Sequence, residues 1–296
     1  MRLIGAVTQG SGAVNEDGFG FLGEPREVSA AWVFDGVTGI NARNHLGEGT
    51  DARWLVARAH AHLLELAAKE ISLEEILARL VDGLIADFAA ATEGLDLPRD
   101  YDPPAACLVL VKRYGNTWRA LRLGDSCLLA RDDNQSHRVL AASPNNAFDH
   151  WLTREALKRR ADGVLDVKAL LAEFAPRLRE ARARRNRPDG YSVLECSHDA
   201  LAMAEMTDLG TPAEILLCTD GYYRAVDHYG LHDEAGLMDA SARSVEDVLA
   251  AIRAAEAADP ACRRHPRFKR ADDATAVILA RWGRRNILQP AAVLAA

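Results

Sequence analysis

Short apolar runs and longer amphipathic stretches alternate along this chain in blocks. Short apolar runs are typical of buried strands, whereas apolar residues that recur every three or four positions are typical of helices. Grouping of the strand-like runs, rather than regular interleaving with helices, predicts an α+β fold. These runs are LIGAV, FGFLG and AAWVF within 1–39, AACLVLVK, TWRALRL and SCLLAR within 105–131, YSVLECS and EILLCTD within 191–220, and ATAVILARW at 274–282.

The amphipathic stretches between these blocks predict helices. One pair is expected at 52–69 and 73–91, a second pair within 148–185, and a further helix at 244–258. The helix at 73–91 is preceded by Ser72, and Glu75 follows three residues later, which fits a capping box. In such a box the two residues satisfy each other's free backbone amides, so we expect this helix to begin at a defined position.

No internal repeat and no low-complexity linker divides the chain. We therefore predict a single domain over residues 1–296. Within it, the helix pair between two strand blocks is expected to form a helical insertion at 141–190, and residues 283–296 are expected to form a C-terminal tail.

Composition is that of an ordinary globular protein with a sizeable core, with 49% hydrophobic and 27% charged residues. The net charge of −7 predicts no general attraction to nucleic acid or to an anionic membrane. The N-terminus does not resemble a signal peptide, and no stretch approaches the roughly 20 apolar residues of a membrane span. Five scattered cysteines argue against a disulfide framework or a zinc site. We expect a cytoplasmic, reduced location.

Acidic residues recur where strand-like runs begin or end. An isolated Asp-Gly pair is usually only a turn. Several carboxylates held by rigid strands at one edge would instead require a cation, and oxygen ligands favour hard ions such as Mg²⁺ or Mn²⁺. The five candidates are Asp17, Asp35, Asp125, Asp220 and Asp272.

The order of these motifs resembles that of the metal-dependent protein phosphatases of type 2C. The motifs are NEDG, VFDGVTG, LGDSCLL, LLCTDG and DDATAVIL, and they span nearly the whole chain, from about residue 4 to 282. The resemblance implies an αββα four-layer sandwich of two mostly antiparallel sheets flanked by helices, with a variable helical flap at the position of the insertion. The implied function is hydrolysis of phosphoserine and phosphothreonine in proteins by a metal-bridging hydroxide, with two Mn²⁺ or Mg²⁺ ions as cofactors.

The resemblance also assigns roles to individual positions. It makes Asp17 and Asp35 metal ligands that hold the water between the ions, with the Gly36 carbonyl as a further ligand. Asp220 and Asp272 complete the shell of the ion pair. Asp125 would bind a weaker third ion together with Asp220, and Glu16 would act through water. The resemblance implies that no protein side chain serves as nucleophile. The expected partner is a phosphorylated protein substrate, and the enzyme is expected to be a monomer.

Two positions depart from the family pattern. The family's first motif carries an arginine that grips the substrate phosphate, but the corresponding position here is near Gly12, and no basic residue lies between Arg2 and Asp17. Many members also have a histidine where this chain has Val37. The basic segment CRRHPRFKRADD at 262–273 could replace the arginine, and we expect Arg267 or Lys269 to bind phosphate. The alternative for this segment is a solvated basic loop.

Two other functions remain open at this point. The chain could be a catalytically weak, phosphopeptide-binding regulatory module, although the complete set of carboxylates argues against it. It could also be a phosphatase for a small phosphorylated metabolite, because the altered phosphate grip and the insertion suggest a changed choice of substrate.

Overall fold

The computed structural model describes residues 1–47, 49–140, 147–161 and 167–282. The expected tail at 283–296 and parts of the expected insertion therefore lie outside the described residues. The described strands are β1 (Arg2–Gln9), β2 (Gly18–Glu24), β3 (Glu27–Gly36), β4 (Ala105–Tyr114), β5 (Thr117–Leu123), β6 (Cys127–Arg131), β7 (His137–Leu140), β8 (Leu194–Glu195), β9 (Glu205–Gly210), β10 (Glu214–Cys218) and β11 (Ala274–Ala280). The described α-helices are α1 (Asp51–Leu66), α2 (Leu73–Thr92), α3 (Ala147–Ala161), α4 (Val167–Arg182), α5 (Asp220–Asp227), α6 (Glu234–Arg243) and α7 (Val245–Ala258).

The strands form two sheets whose neighbouring strands run antiparallel. One sheet has the order β1-β11-β10-β6-β7, and the other has the order β2-β3-β4-β5-β9, with the short β8 paired to β4. The β4 sequence is buried from Ala105 to Lys112 because helices cover one face of its sheet and the other sheet covers the opposite face. This is why its apolar residues form a continuous run rather than alternating with polar ones.

Three apolar cores separate four layers. Side chains such as Val33 of β3 and Val277 of β11 fill the space between the two sheets. On the outer face of one sheet, Trp32 and Phe34 pack against α1 and α2. On the outer face of the other sheet, residues of β10 and β11 pack against α5, α6 and α7. This arrangement confirms the predicted αββα sandwich.

The hairpin formed by α3 and α4 lies outside the four layers. Its apolar side chains form a separate small cluster with Ile40, from the loop after β3, and Phe268, from the loop before β11. Two helices within the expected insertion at 141–190 are therefore present in its described part. Their selection of substrate remains a prediction.

Several elements differ from the sequence-based expectation. The helices α5 and α6 and the strands β7 and β9 were not predicted, because they are short and rich in polar residues. Only two residues of YSVLECS form a strand. The Ser72 side chain accepts a hydrogen bond from the Glu75 amide at 3.1 Å, which is one of the two hydrogen bonds of the expected capping box. Across the described ranges, none of the helices has the length and apolar character needed to cross a membrane.

Candidate metal centre

One end of the sandwich gathers all five aspartates that the sequence singled out. Asp35 ends β3, Asp125 lies in the turn between β5 and β6, and Asp220 begins α5 directly after β10. Asp17 and Asp272 precede β2 and β11. Burial raises the pKa of Asp35 well above its usual range, and the charges of the other four aspartates raise it further. The antiparallel sheets thus bring the other four carboxylates within electrostatic reach of Asp35.

Asp17 is the most deeply buried of these carboxylates, with only 2% of the residue exposed. Its Oδ2 accepts a hydrogen bond from the Thr219 hydroxyl at 2.8 Å, and the Thr219 oxygen accepts one from the Thr275 amide at 3.0 Å. Burial raises the pKa of Asp17, which the Thr219 hydrogen bond opposes and the charge of Asp273 reinforces. Asp17 is therefore held at the point where β10 and β11 meet.

Asp273, which the sequence analysis did not single out, organises the first motif. Its Oδ1 accepts hydrogen bonds from the Ser11 amide at 2.7 Å and the Ser11 hydroxyl at 2.9 Å. Its Oδ2 accepts one from the Glu16 amide at 2.7 Å. The carboxylate thus binds the loop between β1 and β2 on both sides and places Asp17. The two adjacent acids in DDAT were the sequence feature that could have pointed to Asp273. Asp272 faces the cluster of aspartates, and Asp273 fixes the loop between β1 and β2.

The glycines that follow Asp35 and Asp220 are required for close packing. A Cβ atom on Gly36 would lie 2.6 Å from the Glu16 carbonyl oxygen, and one on Gly221 would lie 2.0 Å from the Asp273 carbonyl oxygen. Neither glycine has a positive φ. Each therefore allows one acidic motif to pack directly against another, in addition to ending a strand.

A hydrogen-bonded chain of polar side chains links the second and last motifs. The Thr38 hydroxyl donates to Glu16 Oε2 at 2.7 Å and accepts from Lys269 Nζ at 3.1 Å. Lys269 Nζ also donates to Asp272 Oδ1 at 2.7 Å. Burial lowers the pKa of Lys269, but the charge and hydrogen bond of Asp272 outweigh burial, and the net pKa is raised. Lys269 is therefore a cation directed into the cluster of aspartates.

Arg224 is a second cation within the cluster. Its Nη2 lies 2.8 Å from Asp272 Oδ2 and 3.4 Å from Asp220 Oδ2. Burial acts to raise the pKa of Asp272, but Lys269 and Arg224 hold it below its ordinary value. The sequence analysis missed Arg224 because α5 was not predicted. Its spacing of four residues from Asp220 places both on one face of that helix.

Asp125 contacts a buried thiol. Cys107 Sγ donates to Asp125 Oδ1 at 3.0 Å, and Cys107 is the register partner of Asp35 on the neighbouring strand. Burial raises the pKa of Cys107 well above its usual range, and the charges of Asp125 and Asp35 add to this effect. The thiol is therefore neutral and serves as a hydrogen-bond donor to the carboxylate.

Arg267 does not face the cluster, and its contacts argue against the expectation that it binds phosphate. The residue is only 3% exposed. A guanidinium group has five N–H donors, and here all five are used by acceptors in the last turn of α7 and in the loop between α7 and β11. Their acceptors are the Arg270 carbonyl for Nε, Asp259 Oδ2 and the His265 carbonyl for Nη1, and the Glu256 and Asp259 carbonyls for Nη2. Arg267 shapes the loop that carries Lys269, and only Lys269 remains a candidate.

The cluster fits hard divalent cations in its chemistry. Carboxylates that repel one another are stabilised when a cation neutralises them. Every side-chain atom that could bind a metal ion in this cluster is an oxygen. Among the described residues, no group of three acidic, histidine or cysteine side chains is already arranged around one point. The contacts of Asp272 with Lys269 and Arg224 give a local reason, because both of its oxygens are engaged by protein cations.

Comparison with known families decides what kind of site this is. The model of the protein phosphatase 2C family matches residues 4–259, a range that contains four of the five motifs. The chain belongs to the protein phosphatase 2C family. The resemblance inferred from the five motifs is thereby confirmed. Membership supports a metal-dependent protein phosphatase and favours neither the binding module nor the phosphatase of a small metabolite.

Solved structures of similar fold are bacterial phosphatases. The serine/threonine phosphatase PstP/Ppp of Mycobacterium tuberculosis is 17% identical, with a TM-score of 0.52 and coverage of 93% of this chain and 96% of that chain. A bacterial serine phosphatase is 14% identical, with a TM-score of 0.53 and coverage of 95% and 98%. The serine/threonine phosphatase Stp1 of Staphylococcus aureus is 14% identical, with a TM-score of 0.51 and coverage of 94% of both chains. No curated protein sequence matches the chain. At these identities the structures establish a shared fold.

Proposed function

We propose that this member of the family is a Mn²⁺- or Mg²⁺-dependent phosphatase that removes phosphate from phosphoserine and phosphothreonine in proteins. The observation that carries the proposal is the convergence of four aspartates on Asp35, whose pKa is raised by burial and by all four charges. Carboxylates gathered around a buried aspartate repel one another, and this repulsion is relieved when cations neutralise them.

We assign Asp17, Asp35 and the Gly36 carbonyl to two divalent ions, with Asp220 and Asp272 completing the shell and Glu16 acting through water. Asp125 and Asp220 would hold a weaker third ion. Bound divalent ions supply Lewis acidity, which activates water for attack on phosphorus and neutralises the phosphoryl oxygens. The protein itself contributes rigid placement, because Thr219 holds Asp17 and Asp273 holds the loop before it.

Lys269 is the proposed ligand of the substrate phosphate. Its ammonium group lies 2.7 Å from Asp272 Oδ1, and its side chain is 27% exposed, so it is both at the cluster and reachable from solvent. Asp272 would help to hold a divalent ion, and such an ion would compete with Lys269 for Asp272 Oδ1. The ammonium group of Lys269 would then be available to a substrate phosphate.

The test of the proposed function is hydrolysis of p-nitrophenyl phosphate and of a phosphothreonine peptide with Mn²⁺, with Mg²⁺ and with EDTA. We expect turnover with either metal and none with EDTA. Asp35→Asn should abolish turnover, whereas Asp133→Asn should not, because Asp133 lies beyond the opposite end of β6 and pairs with Arg281. A folded wild-type protein that is inert with both metals on both substrates would contradict the proposal.

A further inference from the structure

The α3–α4 hairpin contacts both loops that border the metal centre. Phe174 of α4 and Phe268 of the loop before β11 have ring centroids 6.5 Å apart, and Ile40 of the loop after β3 is buried in the same cluster. Arg160 of α3 donates to the Arg267 carbonyl at 2.7 Å and also to the Phe268 carbonyl. The hairpin therefore holds the segment that leads directly to Lys269.

Arg182, the last residue of α4, makes the corresponding contact with the other loop. Its Nη2 donates to the Thr38 carbonyl at 2.6 Å, and its Nη1 pairs with Asp102. The side chain is only 9% exposed. A buried guanidinium bonded to a main-chain oxygen fixes that peptide in place, because a charged donor left without its acceptor is unfavourable.

Thr38 connects this contact to the site. Its carbonyl is bound by Arg182, while its hydroxyl bridges Glu16 and Lys269. The position of the hydroxyl depends on the orientation of the same residue's backbone, which Arg182 restrains. A continuous path of hydrogen bonds therefore runs from α4 through Thr38 to the ammonium group of Lys269.

We infer that Arg182 is a positioning residue of the phosphatase: by binding the Thr38 carbonyl, it sets where Lys269 meets the substrate phosphate. The α3–α4 hairpin therefore restrains the loops beside the site, in addition to any role in substrate choice. The expected effect of Arg182 on substrate binding rests on the proposed function. The restraint of the Thr38 backbone by Arg182 does not. Loss of Arg182 weakens substrate binding through Lys269 and leaves the aspartates held by the strands in place.

Two measurements test this inference, and the first does not depend on activity. In hydrogen-deuterium exchange, Arg182→Met should speed amide exchange in residues 37–46. Arg179→Met is the matched control, because Arg179 lies on the same helix and pairs with Asp100 but is not bonded to Thr38. Its exchange in 37–46 should equal that of the wild type. Arg182→Lys keeps the charge beside Asp102 but lacks the two separate Nη groups that bind Asp102 and Thr38 in the wild type, and it should show a smaller increase.

The second measurement is a double-mutant cycle on KM for the phosphopeptide. Arg182→Met should raise KM by about tenfold or less with little change in kcat, as expected for loss of one charged hydrogen bond. In Lys269→Met the additional effect of Arg182→Met should disappear, because both substitutions act through one ammonium group. A purely structural role would give effects that multiply.

Unchanged exchange in 37–46, or multiplying effects on KM, would overturn the inference. Should Arg182→Met fail to unfold in a single cooperative transition, Arg182→Lys decides the matter by the same two criteria. If the wild-type protein hydrolyses neither substrate, the proposed function has failed. The exchange data alone then decide whether Arg182 restrains the loop after β3.

Discussion

The two sides of the metal centre are built by different means. On the strand side, comprising Asp17, Asp35 and Thr219, the residues lie at or beside strand ends, and the sheet ladders and a buried hydroxyl hold them. On the loop side, comprising Thr38, Lys269 and Asp272, they lie on loops, and ion pairs and the α3–α4 hairpin hold them. The backbone hydrogen bonds of the sheets thus fix the positions of the residues on the strand side. Side-chain contacts fix those on the loop side. Substitution of the aspartates on the strand side should remove the reaction, whereas substitution of Lys269 on the loop side should change affinities.

The largest effect is expected on the strand side and at α5. Asp35→Asn and Asp220→Asn should each reduce turnover by at least about a hundredfold, because each removes a proposed anionic ligand of a metal ion that would activate water. The metal-free variants should unfold at the same or a higher temperature than the wild type, since one source of carboxylate repulsion is gone. Turnover, calorimetric Mn²⁺ titration and thermal unfolding measure these effects. Wild-type metal affinity together with wild-type turnover in either variant would show that the strand side is not the metal centre.

A large effect on stability is expected in the loop before β11. Arg267→Met should lower the free energy of unfolding by roughly 3 kcal/mol, because it leaves the buried Asp259 carboxylate without its cation. Urea denaturation measures the change. Arg263→Met, at an exposed position of the same segment, serves as the control and should change stability by less than about 0.5 kcal/mol. An Arg267 variant as stable as this control would mean that the ion pair does not shape the loop.

A smaller effect with two opposite signs is expected on the loop side. Lys269→Met should raise KM for the phosphopeptide by about tenfold, because the phosphate loses a cation. The same substitution should tighten Mn²⁺ binding, because Asp272 Oδ1 no longer has to release Lys269. Steady-state kinetics and calorimetry measure the two constants separately. Weaker Mn²⁺ binding with unchanged KM would assign Lys269 to the metal shell instead of the substrate.

The smallest effect concerns the dependence of stability on pH. Burial acts to raise the pKa of Asp259, but hydrogen bonds from the His265 amide and Arg267 outweigh it and hold the net pKa below the ordinary value. A carboxylate with a lowered folded-state pKa stabilises the fold above its unfolded-state pKa, and this contribution is lost as the pH falls through the folded value. Below about pH 4, the ordinary pKa of an aspartate, the wild type should therefore lose stability more steeply than Arg267→Met. Urea midpoints of the two proteins, measured from about pH 6 down to about pH 3 on either side of that ordinary value, should converge as the pH falls. If the urea midpoints of the two proteins instead change in parallel with pH, the ion pair of Arg267 with Asp259 does not lower the pKa of Asp259.

The local sequence determined the parts of this protein that depend on neighbouring residues. Continuous apolar runs such as that of β4 identified central strands, since a strand buried on both faces needs apolar residues at every position. Asp17, Asp35 and Asp220 were recognisable because they end or precede such runs in a fixed order. The helices α5 and α6 were missed because they span only eight and ten residues, too few turns for an apolar period to be recognised, and with α5 the sequence analysis missed Arg224.

Only the tertiary structure decided what the basic segment before Asp272 does. Arg267 and Lys269 are two residues apart and equally basic, and no local pattern separates them. In the folded protein one guanidinium is enclosed by its own loop, while the ammonium group reaches Thr38 and Asp272. Likewise, Asp273 meets Ser11 and Arg182 meets Thr38 across 262 and 144 positions of sequence. Contacts over such distances depend on how sheets and hairpin pack together, which is a property of the whole chain and is not encoded in any one segment.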